Sequence, residues 1–80
     1  MSKDKTQLPL GTIERMLKEA TDKDTRISRS ATEELQEVLG EIIEIFAVTA
    51  EKAAKHSGRS TIKGRDIIYT KDEKFGKILR

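Results

Sequence analysis

Glu33, Glu37, Glu41 and Glu44 recur at three- and four-residue steps, the spacing that stacks carboxylates along one side of a helix. Such a row could hold a divalent cation. A carboxylate metal site in a helical bundle would normally bring histidines at Glu-x-x-His spacing. The single histidine, His56, follows none of these glutamates at that distance. The row is therefore a solvated face, and no metal is expected. Absence of cysteine excludes disulfides, thiolate metal sites and cysteine nucleophiles. With one histidine and no glycine-rich phosphate loop, the chain lacks the parts of a catalytic site. We expect no enzyme, no cofactor and no small-molecule substrate.

The basic side chains are more informative. Residues 1–30 hold seven Lys/Arg against five Asp/Glu, a balance of +2. Residues 31–54 hold Lys52 against six glutamates, −5, and residues 55–80 hold eight basic against three acidic groups, +5. A polyanion is thus attracted to the ends of the middle segment and repelled along its flank. Eighty residues make one domain, and with 38% charged against 35% hydrophobic residues its core is modest. No stretch reaches the length of a membrane span or of a signal-peptide apolar region. A soluble, cytoplasmic protein is expected.

The element that positions these groups is the stretch from Ser28 to Ser57, which has no proline and one internal glycine. Ala31, Leu35, Val38, Leu39, Ile42, Phe46, Thr49 and Ala53 follow the helical period, with the glutamates and Glu51 opposite. Ile43, Ile45 and Ala50 widen the apolar stripe. Ser28 or Ser30 can cap its start, Ser30 standing at capping-box spacing from Glu33. Lys52, Lys55 and His56 suit the negative end of the helix dipole, and Gly58 can close the helix in the left-handed conformation. A helix of this length spans about 40 Å. Two short flanking segments cannot cover such a stripe, whereas a crossing copy can. An obligate homodimer is expected, with Leu35, Val38, Leu39, Ile42 and Phe46 in its core.

Met1–Gln7 reads as a flexible arm carrying Lys3 and Lys5. Leu8-Pro9-Leu10-Gly11-Thr12 starts a short helix over Ile13–Ala20, with Thr12 able to cap. A polar loop, residues 21–26, leads to the long helix, and the basic segment Gly58–Ile62 leaves it. A third helix begins near Lys63 or Gly64. Thr70 and Glu73 have capping-box spacing, so this helix is expected to stop near Tyr69. Residues 70–80 would then form a separate short helical turn or tail, with Phe75, Ile78 and Leu79 as its apolar side.

The residues are more specific than this outline. Leu8-Pro9-Leu10 followed by Ile13-Glu14-Arg15 resembles the N-terminal signature of archaeal histones. Arg26-Ile27-Ser28 is similar to their first loop where it meets the central helix. Lys55-His56-Ser57-Gly58-Arg59-Ser60-Thr61-Ile62-Lys63-Gly64-Arg65-Asp66-Ile67 closely resembles their second loop and the start of their third helix. The resemblance covers about residues 7–68. It implies an all-α histone fold over residues 8–69, paired head to tail with the long helices crossing antiparallel.

The resemblance also implies double-stranded DNA as partner, met through phosphate and minor groove with little base reading, and association with the chromosome or nucleoid. Arg15 would contact phosphate from the first helix. Arg26, Ile27, Ser60, Thr61, Ile62 and Lys63 would act at loops that the dimer brings together, Ile27 and Ile62 through backbone N–H groups. Many relatives carry a basic residue where Ser60 stands, which weakens each loop pair here. Arg59 and Asp66 look like the internal ion pair that fastens the loop to the third helix. His56, opposite Asp66 of another copy, is either a contact between dimers in a tetramer or a solvated residue ending its helix. Ala53, smaller than its counterparts, and the shortened third helix leave open-ended stacking and a closed tetramer both open. The acidic flank and Ser60 keep a second function class in view, a histone-fold protein–protein assembly module without strong DNA binding.

Overall fold

A computed structural model describes residues 8–79. The expected N-terminal arm, with Lys3 and Lys5, lies outside the described residues. Among them are three helices and no strand: α1 (Leu10–Ala20), α2 (Arg29–His56) and α3 (Gly64–Phe75). Among the described residues, no helix is long and apolar enough to cross a membrane. Two compact units divide between Glu41 and Ile42, and α2 is continuous through both.

In the first unit, α1 starts one turn earlier than expected. Pro9, not Thr12, is the N-cap, with φ −63° and ψ 128°. The ring of proline favours this φ, and the Pro9 carbonyl accepts the Ile13 N–H at 3.3 Å. Thr12 is left inside the first turn. Ile13 is the buried apolar residue of α1. Thr21 closes the helix, its hydroxyl donating to the Leu17 carbonyl at 2.9 Å. Across the unit, the Gln36 side-chain amide donates to the Leu8 carbonyl and ties the start of α1 to α2.

Ser28 caps α2, its Oγ accepting from the Ala31 N–H at 3.0 Å. The alternative box from Ser30 to Glu33 is not used. Ser30 instead shares a hydroxyl hydrogen bond with Ser28, and Glu33 pairs with Arg29 at 3.0 Å. Thr32 is buried and donates to the Ser28 carbonyl, whereas Ala31 is exposed. The inner face of α2 at this end therefore runs through Thr32, Leu35, Gln36 and Leu39.

In the second unit, α3 runs back along the C-terminal half of α2. Ala50 and Ala54, one turn apart on α2, and Asp66 and Thr70, one turn apart on α3, lose nearly all contact with solvent. Alanines allow close approach of a neighbouring backbone. At the other end the Phe46 and Phe75 rings stack with centroids 5.3 Å apart. One face of Phe46, expected at the dimer core, is thus covered by its own chain. The stop expected near Tyr69 does not occur, and α3 continues to Phe75. Thr70 is fully buried and its hydroxyl donates to the Asp66 carbonyl at 2.9 Å. A hydroxyl turned back on the preceding turn is not available to cap a new helix.

Only Ile13, Ala50 and Ala54 are buried apolar residues among those described. On α2, Leu35, Leu39, Ile42 and Phe46 are half-buried, while Val38, Ile43, Ile45 and Val48 are exposed. A single copy therefore leaves most of the α2 stripe uncovered.

Candidate nucleic-acid interface

The loop after α2 is built by a helix-ending motif and an ion pair. Gly58 has φ 78°, a conformation that side chains with Cβ rarely adopt. Its N–H donates to the Lys55 carbonyl at 2.9 Å, and the Arg59 N–H donates to the Ala54 carbonyl at 2.9 Å. These two bonds form the Schellman arrangement that satisfies the last carbonyls of a helix. The chain then turns so that the Arg59 side chain reaches forward. Its Nη1 donates to Asp66 Oδ2 at 2.9 Å and its Nη2 to Asp66 Oδ1 at 3.0 Å, a bidentate pair. Nη1 also donates to the Thr61 carbonyl at 2.9 Å. Asp66 accepts from the Lys63 N–H at 2.8 Å, which is the reverse half of a capping box. A lysine side chain has no acceptor, so the forward half is absent.

Arg59 and Asp66 are thus occupied with each other and with the loop backbone. The Arg59 guanidinium, aided by the Lys63 N–H, lowers the Asp66 carboxyl to about 2, and the carboxylate in turn raises the Arg59 guanidinium. Ser60, Thr61, Ile62 and Lys63 are exposed around this brace. The Ile62 N–H and the Lys63 ammonium have no partner among the described residues.

In the first unit, the loop between α1 and α2 is shaped by the Thr25 N–H donating to the Asp22 carbonyl at 2.9 Å. Lys18, Lys23, Arg26 and Ile27 line one concavity there with Asp22 and Thr25. Arg26 is exposed, and neither its guanidinium nor the Ile27 N–H has a partner among the described residues. Sequence reasoning does not single out Lys23, which lines the same concavity as Arg26 three residues away.

Arg15 is exposed on α1 but is not free: its Nη1 lies 3.4 Å from Glu19 Oε2. Lys18 similarly lies 3.8 Å from Glu14. These i,i+4 pairs, legible in the spacing, neutralise much of the outer face of α1. Being exposed, each is weak, on the order of a few tenths of a kcal/mol. His56 is exposed as the last residue of α2 and shares a groove with Asp66. Both Asp66 oxygens are already engaged by Arg59.

The order of helices and the braced loop define a histone-fold protein. Residues 6–69 match the family described as histone-like transcription factor (CBF/NF-Y) and archaeal histone, and the chain belongs to that family. It is 45% identical over 68 residues to DNA-binding protein HmvA of Methanocaldococcus jannaschii, covering 85% of this chain and 69% of that protein. It is 32% identical over 62 residues to a nuclear transcription factor Y subunit of Oryza sativa subsp. japonica, and 31% identical to another from Arabidopsis thaliana. The matches cover 78% of this chain but only 35% and 38% of those plant proteins.

Proposed function

We propose that this protein binds double-stranded DNA with little sequence preference, as a homodimer or a higher assembly of dimers, and shapes it by bending, wrapping or bridging on the chromosome. The observation that carries this reading is the division of labour in the second loop. Arg59 and Asp66 hold the backbone in place, which leaves Thr61, the Ile62 N–H and Lys63 turned outward as phosphate ligands. Arg26 and the Ile27 N–H, unpartnered in the first loop, are the complementary set. None of these groups is arranged to distinguish a base edge. The relative HmvA, named as DNA-binding, supports the same reading.

The dimer follows from the exposed apolar residues of α2, which a crossing copy would cover. Mixed-sequence duplex several helical turns long, titrated over a range of salt, tests the proposal. Binding should be blind to sequence, and log affinity should fall with log salt by about 0.9 for each phosphate neutralised. Feeble binding even at low salt would refute it.

A second reading is favoured by the glutamates of α2. All six, from Glu33 to Glu51, are exposed, and Ser60 supplies no charge. The plant relatives are named as subunits. On this reading the fold serves protein assembly, and duplex binding would be weak and nearly independent of salt.

A further inference from the structure

We infer that Lys23, at the tip of the first loop, is a phosphate ligand in its own right, and that Asp22 beside it holds its pull on the duplex in check. The inference rests on the DNA-binding reading above and adds to it a residue that neither the helical period nor the resemblance marks. Asp22, Lys23, Asp24 and Thr25 form a single turn, closed by the Thr25 N–H donating to the Asp22 carbonyl at 2.9 Å. A four-residue turn of this kind puts its second and third residues at the outside of the bend. Lys23 is the second.

Lys23 is exposed and forms no ion pair among the described residues. Its ammonium therefore keeps its charge for a partner. With Lys18, Arg26 and Ile27 it lines one concavity, to which Asp22 contributes the one carboxylate. Three cations thus face a single anion. Lys18 is drawn aside by Glu14, but at 3.8 Å between exposed groups that pair is weak. Asp24, the other acidic residue of the turn, does not line the concavity. Competition with an incoming phosphate comes, within the lining, from Asp22 alone.

This chemistry suits a phosphodiester strand and not a base edge. A lysine ammonium is a compact point charge on a flexible stem, without the planar fork that arginine presents to paired acceptors. Arg26 stands three residues further on, in the same concavity. Each strand of a duplex offers a phosphate per about 3.4 Å of its axis, so one strand passing the loop can meet both cations. A small anion would have to be shared between them, and competition with inorganic phosphate separates the two cases.

The test uses the full chain and a fluorescent mixed-sequence duplex over a range of salt. Lys23→Gln should lose affinity at low salt, its salt slope should fall by about one per chain, and Lys23→Arg should restore both. Asp22→Asn, which keeps the carbonyl that closes the turn, should raise low-salt affinity about twofold. If Lys23→Gln keeps the wild-type affinity and slope while Arg26→Ala loses both, the inference fails and the loop reading stands. If the wild type itself does not bind, both fail. Lys74, exposed in the last turn of α3, controls for net charge. An equal loss in Lys74→Gln would make the effect one of overall charge and overturn the inference. Displacement of the duplex by inorganic phosphate at matched ionic strength would mark a small-anion site and overturn it too. Unchanged affinity in Asp22→Asn would overturn the part given to Asp22.

Discussion

Arg59 and Asp66, seven residues apart, are joined by two parallel hydrogen bonds of 2.9 and 3.0 Å, and Asp66 is 3% exposed. Planar fork geometry, beyond charge alone, makes this pair. Arg59→Lys should therefore destabilise the protein although it keeps the charge, lowering Tm by on the order of 5 °C. Asp66→Ala should lower it further, because the loop would lose both the ion pair and the Lys63 N–H acceptor. Thermal unfolding followed by circular dichroism at fixed protein concentration measures both. An unchanged Tm for Arg59→Lys would mean the fork is dispensable.

The same pair predicts an acid dependence. Folding lowers the Asp66 carboxyl from its ordinary value of 3.8 to about 2. Between those values the unfolded chain binds more protons than the folded one, so stability rises with pH there. The Asp66 contribution is fully present above pH 3.8 and is lost as pH falls through about 2. In denaturant titrations, the stability gap between wild type and Asp66→Asn should be constant above about pH 5 and narrow progressively towards about pH 2. A gap that does not narrow would remove the carboxylate from the account.

Arg26 and Arg15 should behave differently on DNA. Arg26 has no partner among the described residues, so Arg26→Ala should weaken binding to every duplex and flatten the salt slope by about one per chain. Arg15 already faces Glu19 at 3.4 Å. Releasing it by Glu19→Gln should strengthen binding at low salt, by about twofold per chain. Equal losses for Arg15→Ala and Arg26→Ala, with no gain from Glu19→Gln, would show that the pair does not restrain Arg15.

Ser60 offers the opposite manipulation. It is exposed beside the Arg59–Asp66 brace and supplies no charge. Ser60→Lys should steepen the salt slope by about one per chain and raise affinity at low salt without moving Tm. Fluorescence anisotropy over a salt series, with a parallel thermal melt, reads these quantities. An unaltered slope would place Ser60 away from the duplex.

Val38, 43% exposed in one copy, tests the dimer. Burying an aliphatic side chain of this kind is worth about 1.5–3 kcal/mol. Val38→Glu should therefore weaken self-association at least about tenfold, and helicity should become dependent on protein concentration. Sedimentation with parallel circular dichroism distinguishes this from a monomer that is unaffected by the change.

Much of the fold was legible because it depends on neighbours in sequence. The period from Leu35 to Ala53, the serine before Arg29 and the glycine after the last turn locate α2 to within one residue at each end. Those signals are local, since a helix is built from hydrogen bonds four residues apart. The loop brace was legible through resemblance, at Arg59 and Asp66. Other features depended on what lies alongside in space. Thr70 reads as a cap in the sequence, but burial turns its hydroxyl back onto Asp66, and α3 runs on to Phe75. Phe46 belongs to the α2 stripe by period, yet a partner 29 residues away stacks on its ring. Lys18, Lys23 and Arg26 carry no shared signal until the turn from Asp22 to Thr25 gathers them about one concavity. The sequence by itself therefore determined which segments are helical, though not where α1 begins or α3 ends, and which residues are charged. Tertiary structure decided which charges are already matched and which remain open to a partner, because pairing is a property of distance in space.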